Sequence, residues 1–153
     1  MNALSLSYRC RIERRPDGFH FRFPDLPEAD FVANSLPEGK TEAGTHITQA
    51  LLDYIREGRT PKSERPHAGE SMMHVLPSLG AKTLFLAKSA EVGMYPAELA
   101  RRLGMKPQEV HRIYKPDHAT KIDQIEEALN AIGWRLTLGV EPLNPNAPQR
   151  HLF

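Results

Sequence analysis

Cysteine is nearly absent: Cys10 is the only one in 153 residues. An intramolecular disulfide is therefore impossible, and a cysteine-based zinc site has one thiolate to draw on. Cys10 lies in an apolar-alternating stretch and reads as packing rather than as a reactive thiol. No apolar run approaches the roughly 20 residues that span a bilayer. The N-terminal MNALSLSYRCRIERR lacks a signal peptide's apolar core and small-residue cleavage site. The expectation is a cytoplasmic protein with no membrane association. GxSxG, P-loop and GxGxxG patterns are missing, and the seven histidines are scattered without HExxH. No catalytic set, metal or cofactor is expected. Asp17, Asp25 and Asp30, near strand ends, are the one basis for a two-metal nuclease. Asp17 and Asp25, however, stand in turn contexts that favour aspartate for local reasons.

Hydrophobic residues make up 40% and charged residues 25%, as in globular proteins rather than disordered ones. The net charge of +1 hides an asymmetry. Residues 1–80 hold 10 Lys/Arg against 11 Asp/Glu, a net of −1. Residues 81–121 hold eight, including Lys82 and Lys88, against four, a net of +4. Residues 122–153 hold two against four, a net of −2. The positive charge thus sits in one segment, the footprint of a polyanion-binding surface or of a solvated helix face.

Leu4 to Arg14 alternates at Leu4, Leu6, Tyr8, Cys10 and Ile12, which predicts a half-buried strand. Pro16-Asp17-Gly18 predicts a turn, and Phe19, Phe21 and Phe23 a returning strand stopped by Pro24. Asp30 to Ser35 reads as a third short strand. Glu42 to Glu57 reads as a helix with Thr41 as N-cap and Gly58 as its stop. Arg59 to Ser71 reads as a linker or long loop, and Met72 to Leu76 as a further strand. Lys82–Val92, Pro96–Leu103, Pro107–Tyr114 and Thr120–Ile132 read as four helices. Trp134 to Val140 alternates and predicts a final strand, followed by a flexible tail over 141–153.

The two short helices carry the most specific signal. A steep helix crossing needs a small residue on the first helix, a residue tolerant of positive φ in the turn, and an apolar side chain inserted from the second. Ala100, Gly104 and Val110 meet these demands, with Leu99, Leu103 and Ile113 completing the buried faces and Pro107 suiting a first turn. This is a helix-turn-helix pattern. Lys106, Gln108, His111 and Arg112 are its candidate base readers, because Gln pairs with adenine and Arg with guanine through two hydrogen bonds each. Lys115, Lys121 and Arg101 are candidate phosphate contacts. Each also has an ordinary reading as a solvated polar residue.

Taken together, the two halves resemble the HicB family of antitoxins. Phe23-Pro24-Asp25-Leu26-Pro27-Glu28-Ala29 is similar to that family's FPDLP-type signature. Glu42-Ala43, Ala50-Leu51-Leu52-Asp53-Tyr54-Ile55 and Gly58-Arg59-Thr60-Pro61 resemble its helix and exit. Pro96 to Gly104 and His118-Ala119-Thr120-Lys121-Ile122-Asp123 resemble the branch with a helix-turn-helix. Two features depart: Pro37-Glu38-Gly39-Lys40-Thr41-Glu42-Ala43 stands where the family has a GDT-x-EEA run, and Lys106 where a Ser or Thr cap is usual.

The resemblance, over about residues 4–140, implies an α+β chain. A partial RNase H-like N-terminal domain of antiparallel strands and a helix (1–62) lacks catalytic residues. A linker with a short strand (63–80) leads to a helix-turn-helix domain with a C-terminal strand (81–140). The implied partners are a HicA-type RNA-cleaving toxin, met around Phe21, Phe23, Asp25 and Glu28, and double-stranded operator DNA. The implied state is a homodimer or higher oligomer, paired through Trp134–Val140. A stand-alone regulator with a sensing N-terminal domain is the alternative.

Overall fold

The computed structural model describes residues 4–59, 61–116 and 118–142. Strand β1 (Ser7–Arg15) turns at Pro16-Asp17 into β2 (Gly18–Arg22). Gly18 has φ of 135° and lies where a Cβ would stand 2.5 Å from the Ala33 carbonyl oxygen, so only glycine fits. A single 3-10 turn (Pro27–Ala29) precedes β3 (Phe31–Ala33). Helix α1 (Leu36–Arg56) follows, then β4 (Ser71–His74). The sheet is antiparallel throughout, in the order β3-β2-β1-β4. Phe21 pairs with Ile12 on one side and Phe31 on the other.

Period-two alternation sends Tyr8, Cys10, Phe21 and Phe23 to one face, where Ala43, Ile47 and Leu51 of α1 cover them. Contact is close. A Cβ on Gly39 would lie 2.1 Å from the Phe21 ring, so this glycine lets the helix seat on the sheet.

Helix α1 begins six residues before the expected Glu42, and Thr41 is not its N-cap. Ser35 is: its Oγ accepts from the Glu38 amide at 3.2 Å. Pro37, which looks like a breaker, lies in the first turn where its missing N–H costs nothing. Thr41 instead donates to the Pro37 carbonyl at 3.0 Å.

The segment 63–80 holds β4 and the start of α2. The expected short strand is there, ending at His74 rather than Leu76. Helix α2 (Pro77–Glu91) starts five residues before Lys82, again with proline in its first turn. Helices α3 (Pro96–Leu103) and α4 (Pro107–Tyr114) match their expected bounds, and α5 (Ile122–Ala131) is slightly shorter than expected. A second core joins Ala81, Phe85, Leu99, Val110, Ile113, Ile125 and Leu129. Leu52 and Ile55 of α1 also pack into this second core, while Leu79 of α2 packs on the first. The α1–α2 contact therefore connects the two halves.

Trp134–Val140 is not a strand paired within this chain. A strand needs a ladder neighbour, and the sheet's described strands lie in the other half. The Leu136 amide instead donates to Glu126 at 2.7 Å, and Trp134 lies beneath the Lys88 ammonium at 4.0 Å. Leu138 and Val140 are exposed. The tail expected over 141–153 lies outside the described residues from 143 onward.

Candidate nucleic-acid interface

Helix α3 ends on Gly104, whose φ of 64° and ψ of 30° put it in the left-handed region. The Met105 amide donates to Ala100 at 3.0 Å and the Gly104 amide reaches Arg101 at 3.4 Å. This paired closure satisfies carbonyls that the helix end would leave open. It turns the chain sharply enough for Val110 and Ile113 to bury against Leu99 and Ala100. The three steric demands read from the sequence are met by the residues expected to meet them.

Burial of Val110 and Ile113 fixes which side of α4 faces outward. Gln108, His111, Arg112 and Lys115 recur at three- and four-residue spacing and are all exposed, as is Lys106 before the helix. Lys121 is exposed just before α5. Arg101 is exposed but paired: its Nε and Nη2 donate to Glu98 at 3.0 and 2.6 Å. Arg102 donates to the same carboxylate and to the Ala131 carbonyl. The hydrogen bonds from Arg101 and then Arg102 hold Glu98 below the ordinary carboxylate range. Two cations of the positive segment thus share one anion.

Lys82 does not belong to the exposed patch at all. It is 1% exposed, and its Nζ donates to the carbonyls of Arg112 at 3.3 Å, Lys115 at 3.0 Å and His118. Its place in the charge count concealed this. The available signal was position: it lies three residues before the core Phe85 inside the apolar run Leu79–Ala87. Tyr114 likewise carries no sequence signal of its role. Its hydroxyl lies 2.6 Å from Ser89 Oγ and its ring meets Phe85 edge-on at 5.3 Å. Burial raises its pKa.

The four residues singled out near the signature loop take different positions. Phe21 and Phe23 are buried in the sheet–helix core. The Asp25 side chain is 5% exposed and receives Arg9 Nε and Nη2, both at 2.9 Å, and the Glu64 amide at 3.1 Å. Burial pushes its pKa up, but the Arg9 and Glu64 hydrogen bonds outweigh that and leave it below the usual carboxylate range. Arg9 also meets Glu70 at 3.5 Å and His67 at 3.0 Å. Glu28 alone of the four is exposed, bonded to the Tyr54 hydroxyl at 2.9 Å, with Arg59 stacked on the Tyr54 ring at 3.9 Å.

The three aspartates of the nuclease reading are each held by a separate partner. Asp17 contacts His20 at 2.8 Å, Asp25 is held by Arg9, and Asp30 accepts the Phe23 amide at 2.7 Å. Each carboxylate has its own local partner. Among the described residues no group of three or more His, Cys, Asp or Glu is placed to hold a metal. No described helix is long and apolar enough to cross a membrane.

The chain is 36% identical over 137 residues to Antitoxin HicB 2 of Photorhabdus laumondii subsp. laumondii, covering 88% of this chain and 96% of that protein. The chain belongs to the HicB antitoxin family. Antitoxin HicB 1 of the same organism is 32% identical over 90% of this chain and 88% of its own length. Antitoxin HicB of Escherichia coli K12 is 30% identical over 87% of this chain and 98% of its own. No protein-family profile matches the chain. The similarity spans both HicB-family halves, so it supports an antitoxin role for the sheet and helical parts together.

Proposed function

We propose that this antitoxin binds and inhibits a HicA-type RNA-cleaving toxin through residues 1–62 and represses its own operon through residues 81–140, with 63–80 as the crossover. The observation that carries the DNA-binding part is the outward stripe of α4. Gln108, His111 and Arg112 share one face of a short helix set by a left-handed Gly104 turn, with Lys115 exposed at its C-cap. Such a helix enters a major groove, with Lys106, Gln108, His111 and Arg112 reading bases and Lys115, Lys121 and Arg101 neutralising phosphates. On the toxin side, Glu28 offers an exposed carboxylate to a basic partner. Phe21, Phe23 and Asp25 shape the loop beneath it.

The protein acts as a homodimer or higher oligomer in the cytoplasm. Pairing of 134–140 with the same segment of a second copy would supply the ladder it lacks and cover Leu138 and Val140. Two-fold symmetry then places two α4 helices about 34–36 Å apart, matching a palindromic operator. The test is co-expression with the neighbouring reading frame. Rescue of growth and co-purification are expected, together with a gel shift on the DNA upstream of the gene. Repression without any toxin partner would instead mark a stand-alone regulator.

A further inference from the structure

Four of the five described helices end on a left-handed glycine: Gly58 after α1, Gly93 after α2, Gly104 after α3 and Gly133 after α5, with φ of 71°, 68°, 64° and 89°. Such an ending lets following amides fold back onto the last carbonyls of the helix. Helix α4 is different. Its C-cap, Lys115, is extended at φ −84° and ψ 116°, and the next residue is Pro116, which has no N–H to donate. Backbone amides reach the end of this helix only at long range: Lys115 donates to the Arg112 carbonyl at 3.3 Å and His118 to the Lys115 carbonyl at 3.2 Å.

Lys82 adds a charged donor to these carbonyls from α2. Its buried ammonium donates to Arg112, Lys115 and His118, tying the end of α4 to the loop that leads to α5. A cation is also what the negative end of a helix dipole favours.

We infer that Lys82 is the positioning residue of the DNA-reading helix, replacing the glycine cap that α4 lacks and locking the 115–121 loop to it. The inference rests on the DNA-reading role proposed for α4. Arg112 and Lys115 present side chains outward while their carbonyls are held inward by the same ammonium. One buried group thereby sets the angle between a base-reading residue and the phosphate contacts Lys115 and Lys121. Lys82 itself touches no DNA.

The test uses the full chain carrying Lys82→Met, the double variant Lys82→Met with Pro116→Gly, and Lys82→Gln. Amide exchange is measured without DNA. Binding is measured to a duplex from upstream of the gene and to a scrambled duplex over a salt series. The expected result for Lys82→Met is loss of protection confined to the end of α4 and to 115–121. Preference for the upstream duplex should fall about tenfold or more, with the salt slope unchanged. Pro116→Gly should restore part of both, because it returns an N–H and a residue free to adopt positive φ. If Lys82→Met does not fold, Lys82→Gln is read instead: its neutral amide has two donors and one atom less reach, so a smaller loss at the same places is expected. A loss of protection spread evenly over α1–α5, unrelieved by Pro116→Gly, would make Lys82 ordinary packing and overturn the inference. So would unchanged exchange and binding, or a salt slope reduced by about one, the mark of a direct phosphate contact. If the wild-type chain does not prefer the upstream duplex, the repressor reading fails, while the exchange pattern and its rescue still decide the cap.

Discussion

Around the signature loop of the sheet half, charged side chains are turned on one another. Arg9 holds Asp25, Glu70 and His67, and these contacts bind the segment after α1 back onto β1. On α4 of the helical half the polar side chains are turned out, and their backbone is held from behind by Lys82. The two arrangements point to contact at different kinds of surface. In the first half, fixed charge makes a surface rigid and Glu28 remains accessible. In the second, fixed backbone leaves a whole stripe of side chains exposed, as the proposed DNA-reading role requires.

Weakening one half should show whether the other follows. Phe21→Ala empties a fully buried site and should cost about 3–5 kcal/mol. Trp134, the only tryptophan, reports on the helical half, because it packs against that core. Urea unfolding by circular dichroism should shift to lower midpoint, with Trp134 fluorescence shifting less and toxin capture lost before the gel shift. Coincident transitions would mean that Leu52 and Ile55 weld the halves into one cooperative unit.

Next in size, Arg112→Ala should cost about 1–3 kcal/mol at its cognate base pair and relax specificity there. A gel-shift titration at fixed salt against single-base operator variants measures this. Equal weakening across all variants would move Arg112 to the phosphate set. Gly104→Ala attacks the same interface through the backbone. A Cβ there meets nothing within 4 Å, so the cost is conformational, about 1–2 kcal/mol for a left-handed residue. Thermal melts should show that drop with toxin capture unaffected.

These contrasts also explain what could be read from residues alone. Helices α3 and α4 were legible to their ends, because Ala100, Gly104 and Val110 satisfy local steric demands that few other turns impose. The hairpin was legible for the same reason, in Pro16-Asp17-Gly18 and the alternating phenylalanines. The start of α1 was hidden because Pro37 signals a break unless Ser35 is seen as its cap. The buried Arg9–Asp25 pair was invisible because it joins residues 16 apart through a sheet register. Lys82 looks like surface charge in the sequence because its acceptors lie 30 to 36 residues away. Trp134–Val140 has a strand's pattern, but a pattern does not supply a partner.

Acid should weigh more on the sheet half, where the lowered carboxylate Asp25 is buried, than on the helical half, where Glu98 is more exposed. Asp25 has a depressed pKa in the folded chain, so its contribution is full well above the ordinary aspartate value of about 3.9 and is lost as pH falls through the folded value. Thermal stability of the sheet half should decline on that acid limb, and Asp25→Asn should flatten it. A limb unchanged by that substitution would assign the acid sensitivity to other carboxylates.

The smallest expected effect distinguishes two exposed cations on the reading side. Arg101 is neutralised in the free protein by Glu98 at 2.6 Å, whereas Lys115 has no carboxylate partner among the described residues. A phosphate approaching Arg101 must compete with that carboxylate, while one approaching Lys115 meets no such anion among the described residues. Lys115→Ala should therefore lower the salt slope of operator binding by about one. Arg101→Ala should lower it by less, and Glu98→Gln should raise affinity by freeing Arg101 and Arg102. Stability should barely move for Arg101→Ala, because exposed pairs contribute little to folding. Equal slope changes for Arg101 and Lys115 would show that DNA strips Arg101 from Glu98 completely, placing it on the backbone as firmly as the lysine that follows α4.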